Sequence, residues 1–191
     1  MATTQPIRNK NQVRQLAEYY LNRGYIRNYV LIILGVNTAL RISDLLRLRW
    51  DDVYDFGQGS VRAYVEIVEQ KTGKSKAIAL NQSARNALTL FASQAAESGR
   101  YLIENQRTGM AISRIQAYRL IRAAAEALEF QERVSCHSLR KTLGYHAWKK
   151  GVALAVIMEI YNHSSIAVTR RYLGVTQDDK DAVYLGLNLT A

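Results

Sequence analysis

The stretch CHSLRKTLGYHAW, residues 136–148, predicts a helix that carries cations on one face. His137 and Arg140 lie three residues apart, so both side chains leave the same face of that helix and can converge on one anion. This geometry suits a phosphate. His146, nine residues beyond His137, points to the other side of the helix and is left out of the candidate site.

A tyrosine follows two arginines in the stretch SIAVTRRYLGV, residues 165–175. Tyr172 is either a half-buried packing residue or a nucleophile that attacks a phosphate. Phosphodiester chemistry without a metal needs a nucleophile, cationic donors for the non-bridging oxygens and an acid for the departing oxygen. His163 precedes Tyr172 by nine residues, about 13 Å along a continuous helix, so the two share a phosphate only if the chain bends between them. The serines that follow His163 favour such a bend.

Other charged candidates lie upstream. Arg41, in TALRISDLLRLRWDDV, follows a buried helix, where the surrounding structure can hold a guanidinium for a bidentate hydrogen bond to phosphate. Asp44 lies one turn further on and is placed to orient a cationic neighbour. Lys71 begins the hairpin turn QKTGKSK, from which a mobile ammonium can swing into a groove and donate a proton. Lys74 and Lys76 belong to the same hairpin, and solvation is the competing interpretation for all three lysines.

The composition favours a polyanionic partner. The 191 residues include 26 Lys and Arg against 16 Asp and Glu, a net charge of +10, so nucleic acid is the first partner to consider. An anionic membrane surface is a weaker alternative, because no Lys-rich amphipathic tail is present. Cys136 is the single cysteine, which excludes an internal disulfide and a cysteine-based zinc motif. The apolar run VLIILGV is too short to span a bilayer and no signal peptide is evident, so we expect a cytoplasmic protein.

Hydrophobic periodicity predicts a mainly α fold with a small antiparallel β-sheet, an α+β class. Helices are expected at 11–22, 26–38, 42–48, 81–96, 113–129, 137–150, 152–161 and 165–173. A β-hairpin is expected from the alternating runs at 61–69 and 77–80. No repeat or linker is visible, so residues 1–191 are predicted to form one domain, of which 176–191 is a C-terminal amphipathic helix.

Six of these residues occur in an order that resembles the tyrosine recombinase (phage integrase) family. They are Arg41, Lys71, His137, Arg140, His163 and Tyr172, and the resemblance spans about residues 9 to 175. It implies the catalytic-domain fold of DNA breaking and rejoining enzymes. The implied reaction is tyrosine attack on one DNA strand, which forms a 3′-phosphotyrosine, releases a 5′ hydroxyl and is reversed by a strand of a partner duplex. The ester conserves the bond energy, so neither ATP nor a metal ion is implied.

The resemblance also implies a role for each residue. Tyr172 is the nucleophile, and Arg41 and Arg140 clamp the non-bridging oxygens. Lys71 is the general acid to the leaving oxygen, and His137 is the acid or base toward the tyrosine proton. His163 donates a hydrogen bond to the transition state, and Asp44 matches an accessory carboxylate.

Two departures from the family pattern are visible. Relatives usually carry Leu-Gly before the second histidine, where this chain has Tyr161 and Asn162. Larger members also have an N-terminal DNA-clamping domain that is not expected here, so the chain resembles either an excised catalytic domain or a short member such as the fimbrial DNA invertases. The C-terminal helix at 176–191, with Val183, Leu185, Leu187 and Leu189, either packs on its own domain or docks on a neighbouring subunit.

The predicted function is site-specific strand exchange on double-stranded DNA by a self-associated, tetrameric assembly, with accessory DNA-bending proteins as possible partners. A type IB topoisomerase is the nearest enzyme alternative, because rejoining to the same strand relaxes supercoils. A DNA-binding regulator that does not cleave is the alternative from another class. It would show salt-dependent binding and no covalent adduct.

Overall fold

The computed structural model describes residues 4–188, apart from the side chain of Asp178. In this range the helices are α1 (Lys10–Leu21), α2 (Ile26–Asn37), α3 (Ile42–Leu45), α4 (Trp50–Val53), α5 (Gln82–Ala95), α6 (Arg114–Ala127), α7 (Cys136–Lys149), α8 (Leu154–Tyr161), α9 (Ile166–Leu173) and α10 (Gln177–Gly186). The strands are β1 (Tyr54–Asp55), β2 (Ser60–Val61), β3 (Tyr64–Val68), β4 (Ser75–Ala79), β5 (Glu104–Asn105) and β6 (Met110–Ala111). The predicted mainly α class with antiparallel β structure is confirmed.

The β structure consists of three separate two-stranded antiparallel ladders within the described residues. The predicted hairpin exists, with Tyr64 opposite Ala79 and Val68 opposite Ser75. Its first strand is shorter than expected, because Val61 is buried and pairs with Tyr54 in a different ladder. The predicted helix at 42–48 stops at Leu45, since the chain turns there to begin the unpredicted helix α4.

The core is built around α2, whose buried residues lie on most sides of the helix. It packs against α1, α5 and α7. One apolar cluster joins α2 to α5 and the β3–β4 hairpin, and a second joins it to α1, α6 and α7. A third, smaller cluster contains Ala39, Ile157, Tyr161 and Leu173 and packs α8 and α9 onto the rest of the domain.

The short helices α8 and α9 are attached to α7 through a close approach at Gly144. A β-carbon built on Gly144 would lie 2.5 Å from the Tyr161 ring and 2.8 Å from a methyl group of Leu173. The Tyr161 hydroxyl donates to the Arg140 carbonyl at 2.7 Å and accepts from the Gly144 N–H at 2.7 Å. An α-helix normally joins that carbonyl and that N–H directly. The Tyr161 side chain of α8 therefore links a carbonyl and an N–H that belong to one i to i+4 pair of α7.

Among residues 4–188, no helix is both long enough and apolar enough to cross a membrane.

The close approach at Gly144 predicts a large effect of one methyl group. We expect Gly144→Ala to lower the free energy of unfolding by about 1–3 kcal/mol, because the methyl group overpacks a filled interior. Thermal or urea unfolding followed by circular dichroism measures this change. Gly186→Ala is the matched control, because that helical glycine has no atom within 4 Å of its built β-carbon. Equal stability of the two variants would contradict the packing described here.

Candidate active site

The six predicted site residues come from five segments of the fold. Arg41 is the N-cap residue of α3, and Lys71 lies in the turn between β3 and β4. His137 and Arg140 lie on the first turns of α7, His163 lies in the loop between α8 and α9, and Tyr172 lies on α9. The structure brings all six together, although the first and last are 131 positions apart in the sequence.

Tyr172 lies at the centre of the group. Its ring centroid is 5.3 Å from that of His137 and 4.8 Å from that of His163, both edge-on. The ring of Tyr161 is 5.0 Å away, and the ammonium of Lys141 lies 5.0 Å above the Tyr172 ring. The Tyr172 hydroxyl is buried and has no hydrogen-bond partner of standard geometry among residues 4–188. A buried phenolic oxygen without a well-formed hydrogen bond is unusual, and the Arg140 guanidinium is the cation nearest to acting as its partner.

Arg140 is oriented by main-chain acceptors. Only 3% of the residue is exposed, and its guanidinium donates to the Ala39 carbonyl and, at 3.1 Å, to the Tyr161 carbonyl. Ala39 has a left-handed backbone, with φ of 54°, a conformation that costs an alanine energy and is kept where the surroundings hold it. The Arg140 guanidinium is therefore held beside Tyr172 without the help of a ligand.

Arg41 pairs with a carboxylate that the sequence did not single out. Its Nη1 atom lies 2.9 Å from Oε2 of Glu69, whose side chain is fully buried. The contact is an ion pair rather than a hydrogen bond of standard geometry, since Nη1 has no such bond in the described part of the chain. Asp44, predicted to orient a cationic neighbour, accepts from the Gln70 main-chain N–H at 3.0 Å. Asp44 thus holds the segment that follows β3, and its charge also acts on the nearby Lys76.

Lys71 lies at the rim of the site, on the exposed turn. It lines a cavity of about 350 Å³ together with Arg41, His137 and Arg140. Lys76, on β4, reaches inward and donates to the Ile160 carbonyl at the end of α8. Burial is the main cause that lowers the pKa of Lys76, and the nearby Arg140 charge adds to it. The hairpin therefore brings two lysines to this side of the site, Lys71 exposed and Lys76 partly buried, in addition to Lys141 above the Tyr172 ring.

The bend between His163 and Tyr172 is the feature that the spacing required. Helix α8 is capped at its C-terminus by Asn162, which has a left-handed backbone with φ of 53°. The His163 N–H donates to the Met158 carbonyl at 3.0 Å, and its side-chain Nδ1 contacts the Thr169 hydroxyl at 3.1 Å. The chain then reverses into α9, so the His163 ring faces Tyr172 across the loop. The Nε2 atom is the ring nitrogen that remains available to a ligand.

Burial and positive charge change the protonation of these groups. Burial, followed by the charges of Arg140 and Arg41, lowers the pKa of His163 to about 4. Burial and the Lys141 and Arg140 charges also lower the pKa of His137 below its usual value. Both imidazoles are therefore neutral at pH 7. Burial raises the pKa of Tyr172, and the Arg140 and Arg41 charges only partly oppose that shift.

The site can bind an anion and remove a proton from the tyrosine. Arg41, Arg140 and Lys71 line one cavity together with His137, whose ring contacts Tyr172, and this set of cations suits a phosphate diester. A larger groove of about 660 Å³ lies elsewhere, and its lining includes Asp51, Asp52, Asp55 and Glu66. Arg62 and Arg85 also line that groove, but its carboxylates outnumber them, so it suits phosphate less well than the cavity at Arg41.

Sequence reasoning missed Glu69, Lys76, Arg114 and Lys141. A signal for the first two was present, since strand side chains alternate between faces. In β3 and β4 the inward side includes Val65, Ile67, Ile78 and Leu80. Glu69 and Lys76 continue that side of the hairpin. Arg114, on α6, lines the cavity, and Lys141 donates to the Thr4 carbonyl at 2.8 Å; no pattern in the sequence indicated either residue.

Comparison with known proteins places the chain in a family. Residues 8–178 match the model of the phage integrase family. The chain is 38% identical over 184 residues to "Probable integrase/recombinase YoeC" of Bacillus subtilis (strain 168), which covers 96% of this chain and 97% of that protein. Other matched tyrosine recombinases are longer, and the chain spans between 52% and 58% of their length.

Solved structures agree on the fold. The crystal structure of XerA recombinase superimposes with a TM-score of 0.77 at 18% identity, over 97% of this chain and 65% of that one. The Tn1549 transposon integrase in complex with a circular intermediate DNA has a TM-score of 0.69 at 19% identity, over 98% of this chain and 67% of that one. The chain therefore belongs to the phage integrase family and is a tyrosine recombinase by relationship.

Proposed function

We propose that this protein is a site-specific DNA recombinase that breaks and rejoins strands through a 3′-phosphotyrosine on Tyr172. The observation that carries the proposal is the buried Tyr172 hydroxyl, which forms no hydrogen bond of standard geometry among residues 4–188, although the Arg140 guanidinium lies close enough to oppose the rise in its pKa that burial causes. Two neutral histidines border its ring. Family membership supports the same reaction class. A packing tyrosine would have its hydroxyl bonded or solvated.

The chemistry follows from the charges. Arg41 and Arg140 neutralise the non-bridging oxygens of the scissile phosphate, which stabilises the charge that develops in the transition state. His137, neutral at pH 7 because of its lowered pKa, accepts the phenolic proton as Tyr172 attacks phosphorus. The 3′ phosphate is then esterified to the tyrosine, and the 5′ oxygen leaves with a proton from Lys71. His163 contributes its Nε2 side to the transition state, and Asp44 fixes the hairpin that carries Lys71.

The proposed partner is double-stranded DNA, as in the Tn1549 integrase complex. Strand exchange needs two duplexes, so we expect copies of this chain to assemble as a tetramer on DNA, at the nucleoid, with DNA-bending proteins as accessory factors. Helix α10 exposes Val183, Tyr184, Leu185 and Leu187. We propose that this surface docks on a neighbouring subunit in that assembly. Residue Leu189, which shares the predicted helix, lies outside the described residues.

The proposed nucleophile gives a direct prediction. Wild type should form a covalent adduct with a nicked suicide substrate, visible on a denaturing gel, and Tyr172→Phe should form none because the attacking oxygen is gone. Tyr25→Phe is a matched control, since Tyr25 is 59% exposed at the start of α2 and belongs to neither the site nor the proposed docking surface. An adduct of undiminished yield in Tyr172→Phe would remove Tyr172 from its proposed role. A plasmid substrate then separates exchanged products from relaxed topoisomers.

The lowered pKa of His137 predicts the acid side of the pH profile. The base acts in its neutral form, and because its pKa is lowered, His137 stays neutral to a lower pH than an ordinary histidine. The rate of single-turnover cleavage should therefore stay constant from pH 8 to 6.5. It should fall only at lower pH, as His137 becomes protonated. Quenched-flow cleavage over pH 5–8 measures the profile. A fall that is already half complete above pH 6.5 would contradict the proposed base.

The proposed general acid can be tested with a modified substrate. Lys71→Ala should slow cleavage by about 10²–10⁴-fold, the usual contribution of a general acid. A bridging 5′ sulfur should restore the rate, because a thiolate leaves without a proton. Lys74→Ala, in the same exposed turn, is the control and should cleave at the wild-type rate. If Lys76→Ala rather than Lys71→Ala is rescued by sulfur, the acid is the inner lysine.

A further inference from the structure

We propose that Glu69 is a positioning residue of this active site, which holds Arg41, the turn that carries Lys71 and the turn that precedes His163 in a single arrangement. The inference rests on the proposed function, because it concerns the residues assigned there to phosphate binding and proton transfer.

Glu69 is a carboxylate in an almost fully buried position, which is unusual. It follows the last residue of β3 on the inward side of the hairpin, and only 1% of the residue is exposed. Acidic side chains are almost never fully buried unless they are paired. A methyl-bearing side chain would fill such a place at lower cost in desolvation.

One oxygen of Glu69 joins three segments. Oε2 lies 2.9 Å from Nη1 of Arg41, accepts from the Thr72 hydroxyl at 2.8 Å and accepts from the Asn162 side-chain amide at 2.8 Å. The other oxygen, Oε1, is buried and has no hydrogen-bond partner among the described residues. The three contacts therefore converge on a single atom from three parts of the chain.

Each segment carries a group that the reaction uses. Arg41 is itself a phosphate ligand, Thr72 follows Lys71 directly, and Asn162 precedes His163 directly. Asn162 is also one of few residues outside glycine that accept the left-handed backbone found there, and its amide is turned toward Glu69. A shift of the carboxylate would therefore move all three groups relative to Tyr172.

Because Glu69 is charged, it can hold Arg41 in position before DNA binds. Burial raises the pKa of Glu69, but the contacts from Thr72, Arg41 and Asn162 outweigh it and lower the pKa to about 2. The side chain is thus ionised at neutral pH and attracts the Arg41 guanidinium before a phosphate arrives. A guanidinium has five N–H donors, so the pair leaves donors free for the phosphate oxygens. Such preorganisation removes reorganisation cost from the reaction step.

A second contact fastens the same hairpin to the same neighbour. Lys76, on the partner strand, donates to the Ile160 carbonyl, two residues before Asn162. Both sides of the hairpin therefore contact the C-terminal end of α8, through Lys76 on one side and Glu69 on the other. Glu69 is the one of these two that also pairs with Arg41. Lys76 supports the hairpin but has no contact of this kind with Arg41.

The test compares Glu69→Gln with Glu66→Gln, a control on the exposed side of β3. The amide keeps the size of Glu69 and removes its charge. We expect Glu69→Gln to lower the single-turnover cleavage rate at saturating DNA by about 10²-fold, the size of effect that misplacement of reacting groups produces. The half-saturating DNA concentration and the melting temperature should stay close to those of wild type. Glu66→Gln should match wild type in all three measurements.

A mutant cycle separates positioning from general support of the fold. If Glu69 acts through Arg41, then Glu69→Gln should cost much less in an Arg41→Ala background than in wild type. Full and independent losses in the double variant would overturn the proposal. Cleavage by Glu69→Gln at or above the wild-type rate would also overturn it, because the carboxylate would then compete with the phosphate for Arg41.

A second variant covers the case in which Glu69→Gln does not fold. Asn162→Gly removes one donor to Glu69 and supplies the residue best suited to φ of 53°. Its cleavage rate should fall at an unchanged melting temperature, and an unchanged rate would count against the proposal. Absence of any adduct in wild type would refute the proposed function itself, whereas a normal adduct in wild type and an unaffected Glu69→Gln would refute only this inference.

Discussion

The attachment of α8 and α9 to α7 is the constraint on which the active site depends. A tyrosine hydroxyl from α8 bonds both the Arg140 carbonyl and the Gly144 N–H, and the glycine leaves just enough room for the ring. Two short helices of eight residues each would be marginal alone, because helix formation has a costly nucleus. Packing on α7 stabilises them, and this same packing places Tyr172 against His137.

The site gathers positive charge around a neutral phenol. In the state described, burial keeps Tyr172 protonated, and both neighbouring histidines are neutral. Two arginines are already oriented, one by main-chain carbonyls and the other by Glu69. An incoming phosphate would therefore meet donors that need little rearrangement. This arrangement leaves four buried side-chain atoms without a hydrogen bond of standard geometry in the described chain, which is energetically unfavourable. All four lie at or beside the site.

Local sequence signals predicted most helices because each had its own periodicity and some also had a cap. Ser113 and Asn81 cap the helices that were expected to begin there. The signals failed for β1, β5 and β6, since a strand of two residues has no alternation to detect. They also joined residues 61–69 into one strand, because a pairing partner for Val61 on another segment is invisible to local pattern.

The sequence by itself determined the chemical class of the site and its bend. The order of six polar residues indicated the family, and NHSS indicated a break before Tyr172, because both are properties of residue type and spacing along the chain. Only the tertiary structure decided which charges meet. It paired Arg41 with Glu69 rather than with Asp44, and it turned Lys76 inward, because hydrogen bonds and ion pairs act over a few ångströms in space and not along the sequence.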